Sequence, residues 1–352
     1  MKFFNILSLA VLMLMFVSCQ NTGRIVFFGE TARVSYPRTI TILEGRTVYL
    51  EGIYTGAIFA YDNILVFQSH RHPDGILYVF DAETGNRISA IAQRGAGPDE
   101  FIHIGFSNFE RNINDEINVW ITHPQGHELV LLSLHGNIVK RIHTSKFEST
   151  NFFGIGDFFV LSDSLLIAYM QAREIFENKF TPPFYRVFNY HTGEIVKDFV
   201  HYSEYEMDKG NLVSARFSTP LHWTSTIKPN RSKIAMAMMG LNRVNILDLK
   251  SGKMKSIETR SARSLNQLRL CDHIKSYFGG ISSDERYIFV RVGDLIEPSK
   301  RIHVFDWKGN FMYILQLSEG AMSFSFDPVH KILYSITYKD RVIAYDLNFL
   351  YQ

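Results

Sequence analysis

Residues 77–92 read "LYVFDAETGNRISAIA": an apolar run, an Asp-led polar turn carrying Thr-Gly-Asn, then a second run rich in apolar residues. Five further stretches repeat the phrase, namely "LVLLSLHGNIVKRIH" (129–143), "YRVFNYHTGEIVKDFV" (185–200), "VNILDLKSGKMKSIE" (244–258), "IHVFDWKGNFMYILQL" (302–317) and "VIAYDLNFLYQ" (342–352). Their turn positions Asp81, Ser133, Asn189, Asp248, Asp306 and Asp346 fall roughly 40 to 60 residues apart, the interval at which a four-stranded propeller blade recurs. Six copies predict an all-β domain, a six-bladed β-propeller with four-stranded blades.

The strands around the first copy agree. "AIFAY" (57–61), "ILVFQ" (64–68), "ILYVF" (76–80) and "RISAIA" (87–92) are β-branched or aromatic runs separated by polar turns. Corresponding second strands are "EINVWI" (116–121), "SLLIAYM" (164–170), "KIAMAMM" (233–239), "RYIFVRV" (286–292) and "KILYSITY" (331–338). No run in the repeat region has the length and 3.6-residue period of a core helix. The last repeat offers "MSFSF" (322–326), "KILYSITY" and "RVIAY" (341–345), after which the sequence supplies no clear outer strand. A strand from "TITILEGRTVYLE" (39–51), centred on Thr47 to Glu51, is expected to fill that place and close the ring, because an unpaired edge leaves backbone groups exposed.

The first segment is an address. Lys2, the apolar stretch "FFNILSLAVLMLMFV" and Ser18 before Cys19 form a secretion signal too short for a comfortable membrane span. The pattern resembles a bacterial lipobox, which implies lipidation of Cys19. The domain plan is therefore a signal peptide (1–18), a lipid-anchored tether (19–37) and the propeller (38–352). "QNTGR" after Cys19 lacks the acidic cluster that resembles surface-export signals, which points to an outer-membrane anchor facing the periplasm. Cys271 is then left without a partner and is read as a small buried apolar residue. Thirty-seven Lys and Arg against 35 Asp and Glu create no field that would attract nucleic acid.

Where the first blade ends, "RISAIAQRGAGPDEF" runs from a strand into Arg94-Gly95-Ala96-Gly97-Pro98-Asp99-Glu100-Phe101. This Gly-x-Gly-Pro-x-Glu-Phe arrangement resembles the signature of TolB-like or NHL-like six-bladed β-propeller lipoproteins of Bacteroidetes. The resemblance extends over most of residues 39–352; it implies the fold and a cell-envelope location and carries no reaction. Physically the segment reads as a connection between blades. Gly95 and Gly97 are expected to adopt backbone angles closed to other residues, Pro98 to fix a turn, and Phe101 to plug the seam. A phosphate-binding loop would need a following Lys-Ser/Thr and a helix start, and neither is present.

Strands that alternate in direction send the short turns to one end of the ring and the long connections to the other. The long ones are "SHRHPDG" (69–75), "THPQGHE" (122–128), "MQAREIFENKFTPPFY" (170–185), "GDLIEPSKR" (293–301), 200–222 and 259–277. Function sits most often on loops held by a rigid scaffold, so candidate ligand-binding residues are sought here: Arg71, His72, His123, His127, Arg173, Arg243 and Arg301. Phe176, Phe180, Phe184, Tyr202, Tyr205 and Trp223 offer contact area or pack the loops on the disc. No histidine spacing completes a metal motif, there is no G-x-S-x-G elbow, and no cofactor signature occurs. The favoured reading is a non-catalytic envelope lipoprotein that binds a protein, peptide or glycan through its long-loop face. A propeller lyase or hydrolase acting at the central mouth, and a structural envelope component, are the alternatives.

Overall fold

The computed structural model describes residues 26–52, 56–69, 75–124, 127–146, 152–172, 179–180, 182–203, 205–206, 223–259, 278–293 and 299–352. Three short strands come first: β1 (Glu30–Val34), β2 (Ile40–Leu43) and β3 (Arg46–Val48). Blade 1 follows as β4 (Ala57–Tyr61), β5 (Ile64–Gln68), β6 (Leu77–Asp81) and β7 (Arg87–Ile91). Blade 2 is β8 (Gly105–Arg111), β9 (Ile117–His123), β10 (Glu128–Ser133) and β11 (Ile138–His143). Blade 3 uses β12 (Phe152–Val160), β13 (Leu165–Ala172), β15 (Phe184–Asn189) and β16 (Ile195–Phe199), with a detached pair made by β14 (Lys179–Phe180) and β17 (Tyr205–Glu206). Blade 4 is β18 (Trp223–Ile227), β19 (Lys233–Met238), β20 (Arg243–Asp248) and β21 (Met254–Thr259).

Blades 5 and 6 share one long strand. β22 (Phe278–Ser283), β23 (Tyr287–Val292) and β24 (Ser299–Asp306) lead to β25 (Phe311–Asp327), whose first half is the outer strand of blade 5 and whose second half is the inner strand of blade 6. β26 (Ile332–Thr337) and β27 (Val342–Asp346) complete the chain's own contribution to blade 6. Its fourth strand is β3, antiparallel to β27 with Val48 opposite Val342 and Arg46 opposite Ala344. The closing strand is thus Arg46–Val48, a little before the expected Thr47–Glu51. The protein is an all-β, six-bladed propeller with four-stranded blades.

The repeated phrase has a local cause. In the turn between third and fourth strands, Gly85, Gly136, Gly193, Gly252 and Gly309 have φ between 71° and 89°, a region that glycine occupies without a Cβ penalty. In blade 1 the Gly85 N–H donates to the Asp81 carbonyl at 2.9 Å, and the Asp81 carboxylate accepts the N–H groups of Thr84 and Glu83 at 2.6 and 3.0 Å. The Thr84 N–H, followed by its hydroxyl and the Glu83 N–H, holds the Asp81 carboxyl below its usual pKa against a smaller opposing effect of burial. The pairing then shifts by one residue between Val79 and Phe80, the bulge that a glycine-ended turn creates.

β1 and β2 add an outer layer that the repeats do not announce. β1 runs parallel to β21 as a fifth strand on blade 4, and β2 runs parallel to the first half of β25 on blade 5. The segment before the first blade therefore passes along blades 4, 5 and 6 in turn and covers their outer edges. Within the stretch read as a tether, Glu30–Val34 is one of these strands.

Hydrophobic packing is divided among the seams between blades. One cluster joins Val66, Val79, Ile91 and Phe101 of blade 1 and its connection to Val119, Ile121 and Val130 of blade 2. Another joins Ile58, Leu65 and Phe80 to Tyr334, Ile336 and Val342 across the closure, with Val48 of β3 among them. Each face of a blade is thus buried by its neighbour, which is how a ring of sheets obtains a core.

Candidate functional site

The innermost strand of every blade has one unpaired edge towards the axis, and buried backbone groups there need partners. Small polar side chains supply them from blade to blade. At the closing seam, Ser323 Oγ accepts the Ile58 N–H at 3.2 Å, Ser325 Oγ the Ala60 N–H at 3.0 Å, and the buried Asp327 carboxylate the N–H groups of Asp62 and Asn63, both at 3.0 Å. Gln68 links blades 1 and 2 through the Phe106 N–H and the Ile104 carbonyl. Ser107 and Asn108 donate to the Phe158 carbonyl, joining blades 2 and 3. Asp157 accepts from the N–H and hydroxyl of Ser225, Thr226 meets Ser283 at 2.8 Å, and Ser282 accepts the Phe326 N–H. All six seams are tied in this way near the axis, at positions spread along the inner strands, so the six blades are joined into one ring.

The connections between second and third strands and between blades leave from one end of that ring. Two of them are paired to each other: Lys179 lies opposite Glu206 and Phe180 opposite Tyr205 in the ladder of β14 and β17. The first inter-blade connection is tied down by its own side chains. Phe101 is buried in the seam between blades 1 and 2, as its position predicts. The Glu100 carboxylate accepts the Gly97 N–H at 2.8 Å. Neither Gly95 nor Gly97 has a positive φ; a Cβ on Gly95 would instead collide with the Glu100 carboxylate, so the glycine makes room rather than turns the chain.

Against this connection lies an ionic row on blade 2. Strand register puts His123 of β9, Glu128 of β10 and His143 of β11 side by side. Arg141 Nη1 donates to Glu128 Oε2 at 2.5 Å, while its Nη2 donates to the Pro98 carbonyl at 2.9 Å and Asp99 Oδ1 at 2.8 Å. The nitrogens His143 Nδ1 and His123 Nδ1 stand 3.3 and 3.6 Å from the same Glu128 carboxylate. The ring of His123 also packs edge-on against Phe101 at 5.0 Å. The row fastens the connection to blade 2 and leaves His143 and Asp99 largely exposed for hydrogen bonding. Among the described residues no group of three or more His, Cys, Asp and Glu side chains is arranged to hold a metal ion.

The residues nominated from sequence fall into three groups. His123 and His127 sit at the two ends of the connection between β9 and β10, His123 within the ionic row and His127 exposed with φ 48° and its carbonyl accepting the Thr144 N–H. Arg301 is exposed on β24, with its N–H donating to Ser299 Oγ. Arg243 is buried: its Nε donates to Glu258 Oε1 at 2.9 Å and its guanidinium lies 4.7 Å above the Phe27 ring. Arg71, His72, Arg173 and Cys19 lie outside the described residues, as do Cys271 and Phe176. Of the aromatic candidates, Phe184, Tyr202 and Trp223 are core residues, and Trp223 Nε1 donates to the Tyr185 hydroxyl at 3.3 Å.

The comparisons with known proteins agree with this architecture. Residues 49–179 match the DUF5128 family model, described as a 6-bladed beta-propeller. The chain is similar to a solved member of the DUF4221 family from Bacteroides vulgatus, at 11% identity and a TM-score of 0.54, over 93% of this chain and 98% of that one. It is also similar to a candidate exported protein from Bacteroides fragilis, at 14% identity and a TM-score of 0.57, over 90% of this chain and 98% of that one. Likeness at such identities concerns the fold alone. No curated protein matches the sequence.

Proposed function

We propose that this protein is a lipid-anchored envelope propeller that binds a protein, peptide or glycan through its long-loop end, without catalysing a reaction on it. The observation that carries the reading is the ring of latches at all six seams, which joins the six blades into one scaffold, while the connections that leave one end of it are long and varied in sequence. A scaffold of this kind suits recognition, because binding residues sit most often on loops carried by a rigid framework. His127, Arg301, His143 and Asp99 are among the described polar groups placed to meet a ligand there.

The location rests on Lys2, the apolar stretch and Ser18-Cys19, on the likeness to TolB-like and NHL-like lipoproteins, and on the exported protein of Bacteroides fragilis that shares the fold. No helix among the described residues is long and apolar enough to cross a membrane. Lipid on Cys19 would anchor the domain to a membrane of the envelope, and "QNTGR", which lacks an acidic cluster, is the reason for proposing the periplasmic face of the outer membrane.

A thermal-shift screen of the chain from Gln20 against envelope glycans and peptides tests the binding role, since a ligand of the native state raises the melting temperature by mass action. The expected result is a shift with one ligand class that disappears when residues 173–178 are replaced by Gly-Ser and persists when the turn 112–115 is altered. A shift that survives the loop replacement, or turnover of the stabilising ligand, would overturn the reading.

A further inference from the structure

The start of the described chain lies along the outside of blade 3. Val26–Phe28 runs antiparallel to His201–Ser203: the Phe28 N–H donates to the His201 carbonyl at 2.9 Å and the Ser203 N–H to the Val26 carbonyl at 2.9 Å. Phe27 turns inward, with its ring 5.2 Å from that of Tyr202. Its two neighbours turn outward, Val26 51% and Phe28 61% exposed, and Val200 beside them is 51% exposed. Ile195 and Val196 extend the apolar edge along β16 at 49% and 53% exposure. His201, in the same stretch, is kept neutral by burial, with its pKa lowered to about 4. Large apolar side chains grouped on one rim of a folded domain mark a contact surface.

The length of chain before Val26 identifies what covers it. Six residues lie between Cys19 and Val26, so seven Cα–Cα steps span at most about 25 Å when fully extended. A compact domain of this size has a radius of gyration of about 20 Å and is thus roughly 50 Å across. An acyl anchor on Cys19, on which this inference rests, would keep Val26 closer to the headgroups than the domain is wide. The rim that meets the bilayer first is the one bearing the five apolar side chains.

We propose that the rim formed by Val26, Phe28, Ile195, Val196 and Val200 is a bilayer-docking surface that seats at the boundary between headgroups and acyl chains. Confinement by the anchor raises the effective concentration of the rim at the lipid surface, so contacts too weak to bind a free protein suffice to orient a tethered one. Docking by its rim lays the propeller on its side, with its axis along the membrane plane and the long-loop end open towards partners held in the same membrane.

Tryptophan quenching by brominated lipid tests the orientation. The three native tryptophans, Trp120, Trp223 and Trp307, are all buried and give a low background. The mature chain with Cys271→Ser is coupled through the Cys19 thiol to maleimide lipid in phosphatidylethanolamine and phosphatidylglycerol vesicles, so the anchor is supplied chemically. Phe28→Trp, and Val26→Trp as a second reporter, should be quenched several-fold more strongly than Ile113→Trp, which marks the exposed turn of blade 2. Equal weak quenching at all three positions would overturn the proposal. So would a concentration-dependent blue shift in the emission of the Phe28→Trp variant without vesicles, which would assign the rim to a second copy of the chain. Mass spectrometry of Cys19 in protein from cells tests the anchor separately: an unmodified Cys19 would overturn the lipoprotein reading while the vesicle result still reports whether the rim prefers lipid.

Discussion

Replacing His303 by Phe should make the propeller less sensitive to acid. His303 lies on β24, is buried, and is surrounded by the rings of Phe311 at 4.7 Å, Tyr36 at 5.7 Å, Phe278 at 6.3 Å and Phe305 at 6.4 Å. Its Nδ1 has no hydrogen-bond partner. Burial, with a smaller contribution from the charge on Arg301, lowers its pKa to about 3 from an ordinary 6.5. A histidine with a lowered folded pKa binds fewer protons folded than unfolded, so its contribution is fully present above about pH 6.5 and is lost as the pH falls towards 3. At about 1.4 kcal/mol per pH unit, the loss between pH 6.5 and 5 is about 2 kcal/mol. Phenylalanine fits among the same rings and does not titrate. Urea unfolding followed by the fluorescence of the buried tryptophans at pH 7.5, 6.5, 5.5 and 5 measures the difference. The parent should lose about 2 kcal/mol more than His303→Phe over that range, with stability otherwise falling in both as carboxylates protonate. Equal pH slopes in parent and variant would refute the assignment of a neutral, desolvated imidazole.

Three further outcomes follow from the packing. Asp327→Ala removes the acceptor of the Asp62 and Asn63 N–H groups at the closing seam and leaves them unpartnered, which should cost about 3 kcal/mol or more by urea unfolding. A chain that begins after Gly52 lacks β1, β2 and β3, exposes the edge of β27, and should melt about 10 °C or more below the parent; an unchanged melting temperature would defeat the closure. Phe101→Ala empties the seam between blades 1 and 2 and should cost about 3–5 kcal/mol while leaving ligand affinity per folded molecule unchanged, as measured by titration calorimetry.

What was legible in the sequence were the elements whose cause is local. The Asp-x-x-Thr-Gly-Asn turn at 81–86 states its own geometry, since Gly85 at φ 75° and the Asp81 carboxylate are both within the phrase. Blade strands are β-branched and aromatic runs whose burial follows from the ring. The outer strands were not legible: "ETARV" and "ITIL" are short and carry no turn of their own, and they exist as strands because β21 and β25 offer parallel edges far along the chain. Arg243 shows the same limit, for its burial depends on Glu258 standing opposite it in register and on Phe27 arriving from the other end of the sequence. The latches were also hidden. Ser282, Ser323, Ser325 and Asp327 have the composition of surface residues, and only the closing of the ring sets them against the inner edge of the next blade. Of the candidate site, the long-loop end follows from strand alternation, whereas the row of His123, Glu128 and His143 needed the pairing of β9, β10 and β11 to bring it together.

Site-specific photo-crosslinking in living cells tests recognition by the long-loop end most directly. A crosslinker at His127, exposed at that end, should give a discrete adduct with an envelope component, and one at Ile113, exposed at the opposite end, should give none. An adduct at Ile113 instead, or none at His127 or at Arg301, would contradict the account.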